Sequence, residues 1–329
     1  MTQPSVNMTF DTSLIDTHNP TPSFSTTESD LSEVAATSTR NPSEQLDVTP
    51  TPPLKASTPV QHVATQDAYD QWASVYDNDG NMLQAIDDLE LSTLLPEFLN
   101  LVTSATATRN PKPLSLIDLG CGTGRTTAKL LAHPWIQLVS VTAVDFSAPM
   151  LAIAERKLAP LLAGRENVRL SLSRADCFPT TASSTASPVP DVGGLRAGAA
   201  DGLVSTLVLE HVSLKDYFAT VAALVRPGGY ALITNMHDEM GRVSQAGFVN
   251  AQGVKVRGQS FAYTVEGTVG AAREVGFEVV QVKERAVTKE DVESGSVGER
   301  GKKWVGVRVW YGVVLRMREM WERCEDYLV

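Results

Sequence analysis

The spacing of apolar positions changes character along this chain, and each change predicts a different kind of element. Between residues 67 and 102 it is helical, in two pieces, DAYDQWASVYD and MLQAIDDLELSTLLPEFLNLV. In the second piece Leu83, Ile86, Leu89, Leu94, Leu95, Phe98 and Leu99 fall mostly three to five residues apart, the interval that lines one helix face. From Leu114 onward short apolar runs alternate with amphipathic stretches. LSLIDLG reads as a strand and GRTTAKLLAH as a helix. LVSVTAVD reads as a strand and SAPMLAIAERKLAPLLAG as a helix, with Ser147 as its N-cap and Gly164 as its stop. VRLSLSRAD, DGLVSTLVL and YALITNM are further strands, the last two separated by the helix SLKDYFATVAALV and the turn RPGG. Two Val-rich runs near the end, FEVVQVKERAV and WVGVRVWYGVVLRM, are expected to pair as an antiparallel edge hairpin, with loop and no helix between them. Such alternation predicts an α/β fold, a doubly wound and mostly parallel sheet.

Composition divides the chain further. Ser, Thr and Pro supply 29 of the first 60 residues, which hold two aromatics and only Arg40 and Lys55 as bases. That stretch offers too little apolar surface to offset the entropy of ordering, so 1–60 is expected to be a disordered tail. It lacks the apolar centre of a secretory signal, and its seven acids do not suit a mitochondrial presequence. The expected plan is then a helical cap over 61–112 and a core over 113–329. Within the core, 179–200 is a Ser-, Thr-, Gly- and Pro-rich flexible loop, and 236–263 is an insertion on the substrate side containing a possible hairpin, AGFVNAQGVKVRG.

Charge narrows the function. The net charge of −10 over 329 residues argues against a phosphate backbone as the main partner. No apolar run reaches the roughly 18–20 residues of a membrane span. Three scattered cysteines (Cys121, Cys177, Cys324) support neither a disulfide framework nor a zinc site. No metal is expected, and the location expected is cytoplasmic. The sequence carries no indication of oligomeric state.

The strongest chemical signal is LIDLGCGTGR, with Asp118 two residues before Gly120, then Gly122 and Gly124, on a turn from the first core strand into a helix. Glycines there bring the backbone close to a ligand, and the helix N-terminus offers free N–H groups. A dinucleotide fingerprint would need another glycine where this chain has Arg125. The spacing instead resembles that of class I S-adenosylmethionine-dependent methyltransferases. Four later features fall in the same order: Asp145 ending the second core strand, Asp176 in RADCF, LVLEHV closing the fourth strand, and RPGG before the fifth. Upstream, YDQWASVYD is similar to a segment of ubiquinone- and menaquinone-biosynthesis-type methyltransferases. The resemblance covers roughly residues 67–315.

It implies a Rossmann-like, seven-stranded sheet and S-adenosylmethionine as cofactor. Asp145 would accept from the ribose hydroxyls and Asp176 would meet the adenine amino group. Asp118 would contact the cofactor's amino group, and Gly120, Gly122 and Gly124 would form its cradle. Tyr69 and Tyr76 would lie over its methionine end, while Phe146 and Met150 would wall the adenine. Cys121 fills the tight turn and Cys177 packs beside the adenine. Trp72, Trp304, Trp310 and Tyr311 read as packing.

An activated methyl donor leaves alignment as the protein's main task. A base is needed only if the acceptor must shed a proton, and His237, after the fifth strand, and His211, after the fourth, are the candidates. A small-molecule acceptor fits the acidic charge and single core, with oxygen or nitrogen methylated, as in specialised-metabolite enzymes. C-methylation of a quinone-like ring, an RNA or protein substrate, and a cofactor-binding regulator are the alternatives. An exocyclic-amine methylator would show Asn/Asp-Pro-Pro-Tyr where this chain reads Leu209-Glu210-His211-Val212.

Overall fold

The computed structural model describes residues 59–107, 113–179, 187–193 and 195–319. The expected tail, parts of the linker after the cap and of the loop 179–200, and Cys324 lie wholly or almost wholly outside them. Elements in chain order are β1 (Val60–His62), α1 (Thr65–Trp72), α2 (Met82–Thr106), β2 (Leu114–Leu119), α3 (Arg125–Ala132), β3 (Val139–Asp145), α4 (Ala148–Leu162), β4 (Val168–Arg174) and β5 (Ala200–Thr206). A 3-10 turn over Leu209–His211 leads to α5 (Leu214–Leu224) and β6 (Val225–Met236), followed by α6 (Asp238–Gly241), β7 (Phe248–Val249) and β8 (Lys255–Arg257). The chain continues through α7 (Val265–Glu274), β9 (Phe277–Ala286), α8 (Lys289–Glu293), α9 (Gly298–Gly301) and β10 (Arg308–Met317).

The seven-stranded sheet has the order β4-β3-β2-β5-β6-β10-β9. Its first five strands are parallel and β10 runs antiparallel to both neighbours. The expected sheet and its antiparallel end are therefore present. The chain winds outward from β2 to β4, then returns to place β5 on the other side of β2. That reversal opens a crevice at the carboxyl ends of β2 and β5, where doubly wound sheets bind ligands.

Two apolar layers hold the sheet. One contains Leu94, Phe98 and Val102 of α2 with Leu130, Leu158 and Leu232, and the other Tyr217, Phe218 and Val221 of α5 with Ile117, Ile233 and Phe277. β10 feeds both by alternation, sending Trp310 and Val314 to the first layer and Tyr311, Val313 and Leu315 to the second. Burying side chains of this size contributes roughly 1.5–3 kcal/mol each.

The structure departs from the sequence reading in three places. Most of the expected cap is not a cap: α2 packs along β5, β6 and β10 as a sheet-covering helix, and the 61–112 segment reaches the crevice only around α1 and the turn after it. Its apolar residues are buried by the sheet's length, which a local pattern does not reveal. Secondly, two short helices interrupt the stretch between β9 and β10. α8 begins with a capping box in which Thr288 and Asp291 satisfy each other's backbone N–H groups. Thirdly, α7, capped by Thr264, fills a segment with too few apolar residues to stand out.

The insertion forms a small second sheet. Phe248–Val249 pairs antiparallel with Lys255–Arg257, and β1 adds a parallel third strand. Trp72 of α1 stacks on Phe248 at 5.5 Å and donates its indole N–H to Asp79 at 2.8 Å. The segment that leaves β8 continues over the crevice through Gln259 and Phe261. No helix among the described residues is long and apolar enough to cross a membrane.

Candidate active site

A cavity of about 420 Å³ occupies the crevice. Its floor is the turn after β2, where Gly120, Gly122 and Gly124 all have positive φ (79°, 53° and 80°). The three glycines have different reasons. A Cβ on Gly120 would lie 2.6 Å from the Val208 side chain, and one on Gly124 would lie 2.9 Å from Leu158 of α4. Gly122 has nothing within 4 Å of that position, so its backbone faces the open cavity. Gly120 and Gly122 line the cavity, whereas Gly124 is the packing contact between α3 and α4.

Asp145 ends β3 beside this turn. One carboxylate oxygen accepts from the Gly122 N–H and the other from the Ser147 N–H, both at 2.8 Å. Burial pushes its pKa up to about 6. Each oxygen keeps a second lone pair, so the group can accept from two adjacent hydroxyls. Phe146 and Met150 continue the wall, and Asp176, Cys177 and Phe178 line the same side from the loop after β4.

Asp118 is not in the lining. It lies beneath the turn, 1% exposed, and accepts from the Thr127 hydroxyl at 2.5 Å, which ties β2 to α3. Its other carboxylate oxygen, Oδ1, is buried with no hydrogen-bond partner among the described residues, so contact with the ligand's amino group stands as a proposal.

The turn's other end carries a charged network that sequence reasoning missed. Arg125 lines the cavity and pairs with the buried Asp87 and with Asp88, the latter at 2.8 Å. Asp87 also accepts from the Trp310 indole at 2.7 Å. These partners lie far apart in sequence. Nearby, Asp77 accepts from the Thr123 hydroxyl at 2.6 Å and pairs with Lys157 at 2.6 Å, fastening the segment after α1 to the glycine turn.

The roof comes from α1 and the segment after β8. Tyr69 and Tyr76, 5.9 Å apart ring to ring, face the cavity, as do Gln259 and Phe261. Gln259 N–H donates to the Thr65 hydroxyl at 3.2 Å, and Phe261 N–H to the Glu210 carbonyl at 2.7 Å. β5 ends in a left-handed residue, Leu207 (φ 57°), conformationally costly for a branched side chain. That sharp turn sets Val208 on Gly120 and brings His211 to the rim.

His211 lines the cavity. Its Nδ1 lies 2.6 Å from the Gln259 carbonyl and its Nε2 2.7 Å from the Tyr69 hydroxyl. A carbonyl only accepts, so Nδ1 carries the proton and Nε2 holds the lone pair. Burial pushes the imidazole pKa down to about 4, leaving it neutral near pH 7. This is the arrangement of a hydrogen-bonded base.

His237 is elsewhere. It caps α6, with Nδ1 accepting from the Glu239 N–H at 3.1 Å and Nε2 lying 2.8 Å from Glu284 on β9. It is 2% exposed and does not line the cavity, because β6 ends against β10 and not beside β2. The expectation of a base at His237 is corrected accordingly. His237→Gln is expected to leave turnover within about twofold and to lower the melting temperature by a few degrees, the loss of one cap and one charged hydrogen bond. Parallel rate and melting measurements check this.

A methyltransferase-domain family model matches residues 91–282, a span from within α2 to β9 that includes the glycine turn. An uncharacterized methyltransferase of Emericella nidulans is 42% identical over 268 residues, covering 77% of this chain and 91% of that protein. Among solved structures, an S-adenosylmethionine-dependent methyltransferase from Mesorhizobium loti aligns over 65% of this chain and 95% of its own, at 20% identity and TM-score 0.42. Another from Aquifex aeolicus aligns over 69% and 88%, at 17% identity and TM-score 0.41.

Proposed function

The chain belongs to the class I S-adenosylmethionine-dependent methyltransferases, and on that premise we propose that it methylates an oxygen or nitrogen of a small molecule in specialised metabolism. The residues present fit the cofactor. Asp145 offers acceptor lone pairs for a ribose diol, and Gly122 leaves open space where any other residue would place a side chain. In this reading Phe146, Met150, Asp176 and Cys177 hold the adenine, and Gly120, Cys121, Tyr69 and Tyr76 surround the methionine end.

The observation that carries the small-molecule reading is the roof. Tyr69, Gln259 and Phe261 cover the crevice with the chain's own segments, tied down through Thr65 and Glu210. A cavity roofed in this way suits a compact acceptor, since a small ligand gains most when nearly all its surface is buried. Nucleic acid would require an open, basic groove.

The bound cofactor supplies an activated methyl group. The chain's part is to orient the acceptor, exclude water and hold the released proton. His211 is the residue placed to take that proton: its Nε2 lone pair, satisfied at rest by the Tyr69 hydroxyl, accepts the acceptor's O–H or N–H proton as methyl transfer proceeds. Turnover of a panel of phenols, amines and carboxylates, read by mass spectrometry, tests the proposal. A gain of one methyl on an oxygen or nitrogen supports it. Methylation confined to ring carbons or thiols would overturn it.

A further inference from the structure

Glu210 is a buried carboxyl with one oxygen that nothing among the described residues satisfies. Its side chain is 4% exposed, and its Oε2 has no hydrogen-bond partner. Its Oε1 lies 3.6 Å from the His211 Nε2, and that imidazole is neutral. No Lys or Arg among the described residues forms an ion pair with it. The groups facing it are His211 on its own turn, Tyr69 and Tyr76 from the roof, and Tyr311 from β10, with Asn235 of β6 bonded to its backbone N–H. All are uncharged. Burial alone pushes the Glu210 carboxyl up to about 8, so at rest it keeps its proton.

A carboxyl held without a partner is costly to keep, and its natural complement is a positive charge. The chain provides none there. The cavity one residue layer away does, because the ligand that enters it carries a sulfonium. Val208, two residues earlier, packs on Gly120 of the cradle, and His211, whose Nε2 lies 3.6 Å from the Glu210 carboxyl and 2.7 Å from the Tyr69 hydroxyl, lines the cavity with that tyrosine. We propose that Glu210 is the counter-charge for the sulfonium of S-adenosylmethionine, so that it selects the charged methyl donor over the neutral thioether product.

The inference rests on the cofactor reading of the cavity and adds to it a discrimination between donor and product. The sign follows from the proton. Pairing with a cation requires the ionised carboxylate, so donor binding near pH 7 expels the Glu210 proton, whereas product binding leaves it in place. Preference for the donor therefore rises with pH up to about 8 and then levels. Donor and product carry the same amino and carboxylate groups, whose own titrations largely cancel in the ratio.

Calorimetric titration of the full chain with S-adenosylmethionine and with S-adenosylhomocysteine, from about pH 6 to about pH 8.5, tests it. The native chain should show the ratio of product to donor dissociation constants rising about tenfold or more, and Glu210→Gln should hold the ratio flat while still binding product. A ratio that is flat in the native chain, or that rises equally in the variant, would overturn the assignment. A second reading needs no variant: repeating the native titrations near pH 7 in buffers of different ionisation enthalpy should show proton release with the donor exceeding that with the product. Equal release would also overturn it. Failure of both ligands to bind would count against the cofactor site itself, a separate outcome.

Discussion

Asp145→Ala is expected to weaken S-adenosylhomocysteine binding by about a hundredfold or more and to abolish the ligand's effect on the melting temperature. The native chain should gain roughly 2.7 kcal/mol of stability at about one hundred times the dissociation constant. Asp145 supports binding in two ways. Its carboxylate would accept from both ribose hydroxyls, and hydrogen bonds to a charged group are worth roughly 1.5–3 kcal/mol each. It also fixes the cradle, since the same oxygens hold the Gly122 and Ser147 N–H groups. Two lost bonds at the lower figure already give about a hundredfold, at tenfold per 1.4 kcal/mol. Calorimetry on both proteins is the check, and a variant that binds within about threefold of the native chain would remove Asp145 from the site.

His211→Gln should separate chemistry from binding. Turnover is expected to fall by about 10² or somewhat more, the lower part of the range for general-base catalysis, because burial leaves this imidazole a weak base at rest. Glutamine can still bond to the Gln259 carbonyl and the Tyr69 hydroxyl but cannot accept the acceptor's proton. Product affinity should change less than about threefold. The pH dependence carries the sign. In the free chain a base with a pKa near 4 remains neutral through the physiological range, so His211 should contribute no loss of kcat/KM for the donor near pH 6.5 and an acid limb only below about pH 5. A limb near pH 6.5 that survives in His211→Gln would point to a different base.

How much of this the sequence disclosed depends on how local each feature is. The glycine turn and Asp145 are set by neighbours within one strand–turn–helix, so their positions follow from the order of residues alone. The two histidines show where that stops. Both follow a parallel strand at its carboxyl end, and sequence ranks them alike. β5 neighbours β2 across the crevice, whereas β6 is flanked by β10, which turns His237 toward Glu284. Only the strand order separates them. Asp118 sits in the motif and also accepts from the Thr127 hydroxyl of α3, a tie that the strand's own alternation does not reveal. The Arg125–Asp87–Trp310 network joins residues up to 223 positions apart and left no local mark. The covering role of α2 was hidden for the same reason: an amphipathic helix shows that it has an apolar face, not what buries it.

Delivery of the donor's methyl group from this cavity to a small molecule has a direct readout. Incubating the full chain with S-adenosylmethionine bearing an isotopically labelled methyl, in a total extract of small metabolites, protein and RNA, tests it most directly. Label is expected on an oxygen or nitrogen in the small-molecule fraction, lost with Asp145→Ala and strongly reduced with His211→Gln. Label recovered only in protein or RNA would contradict it.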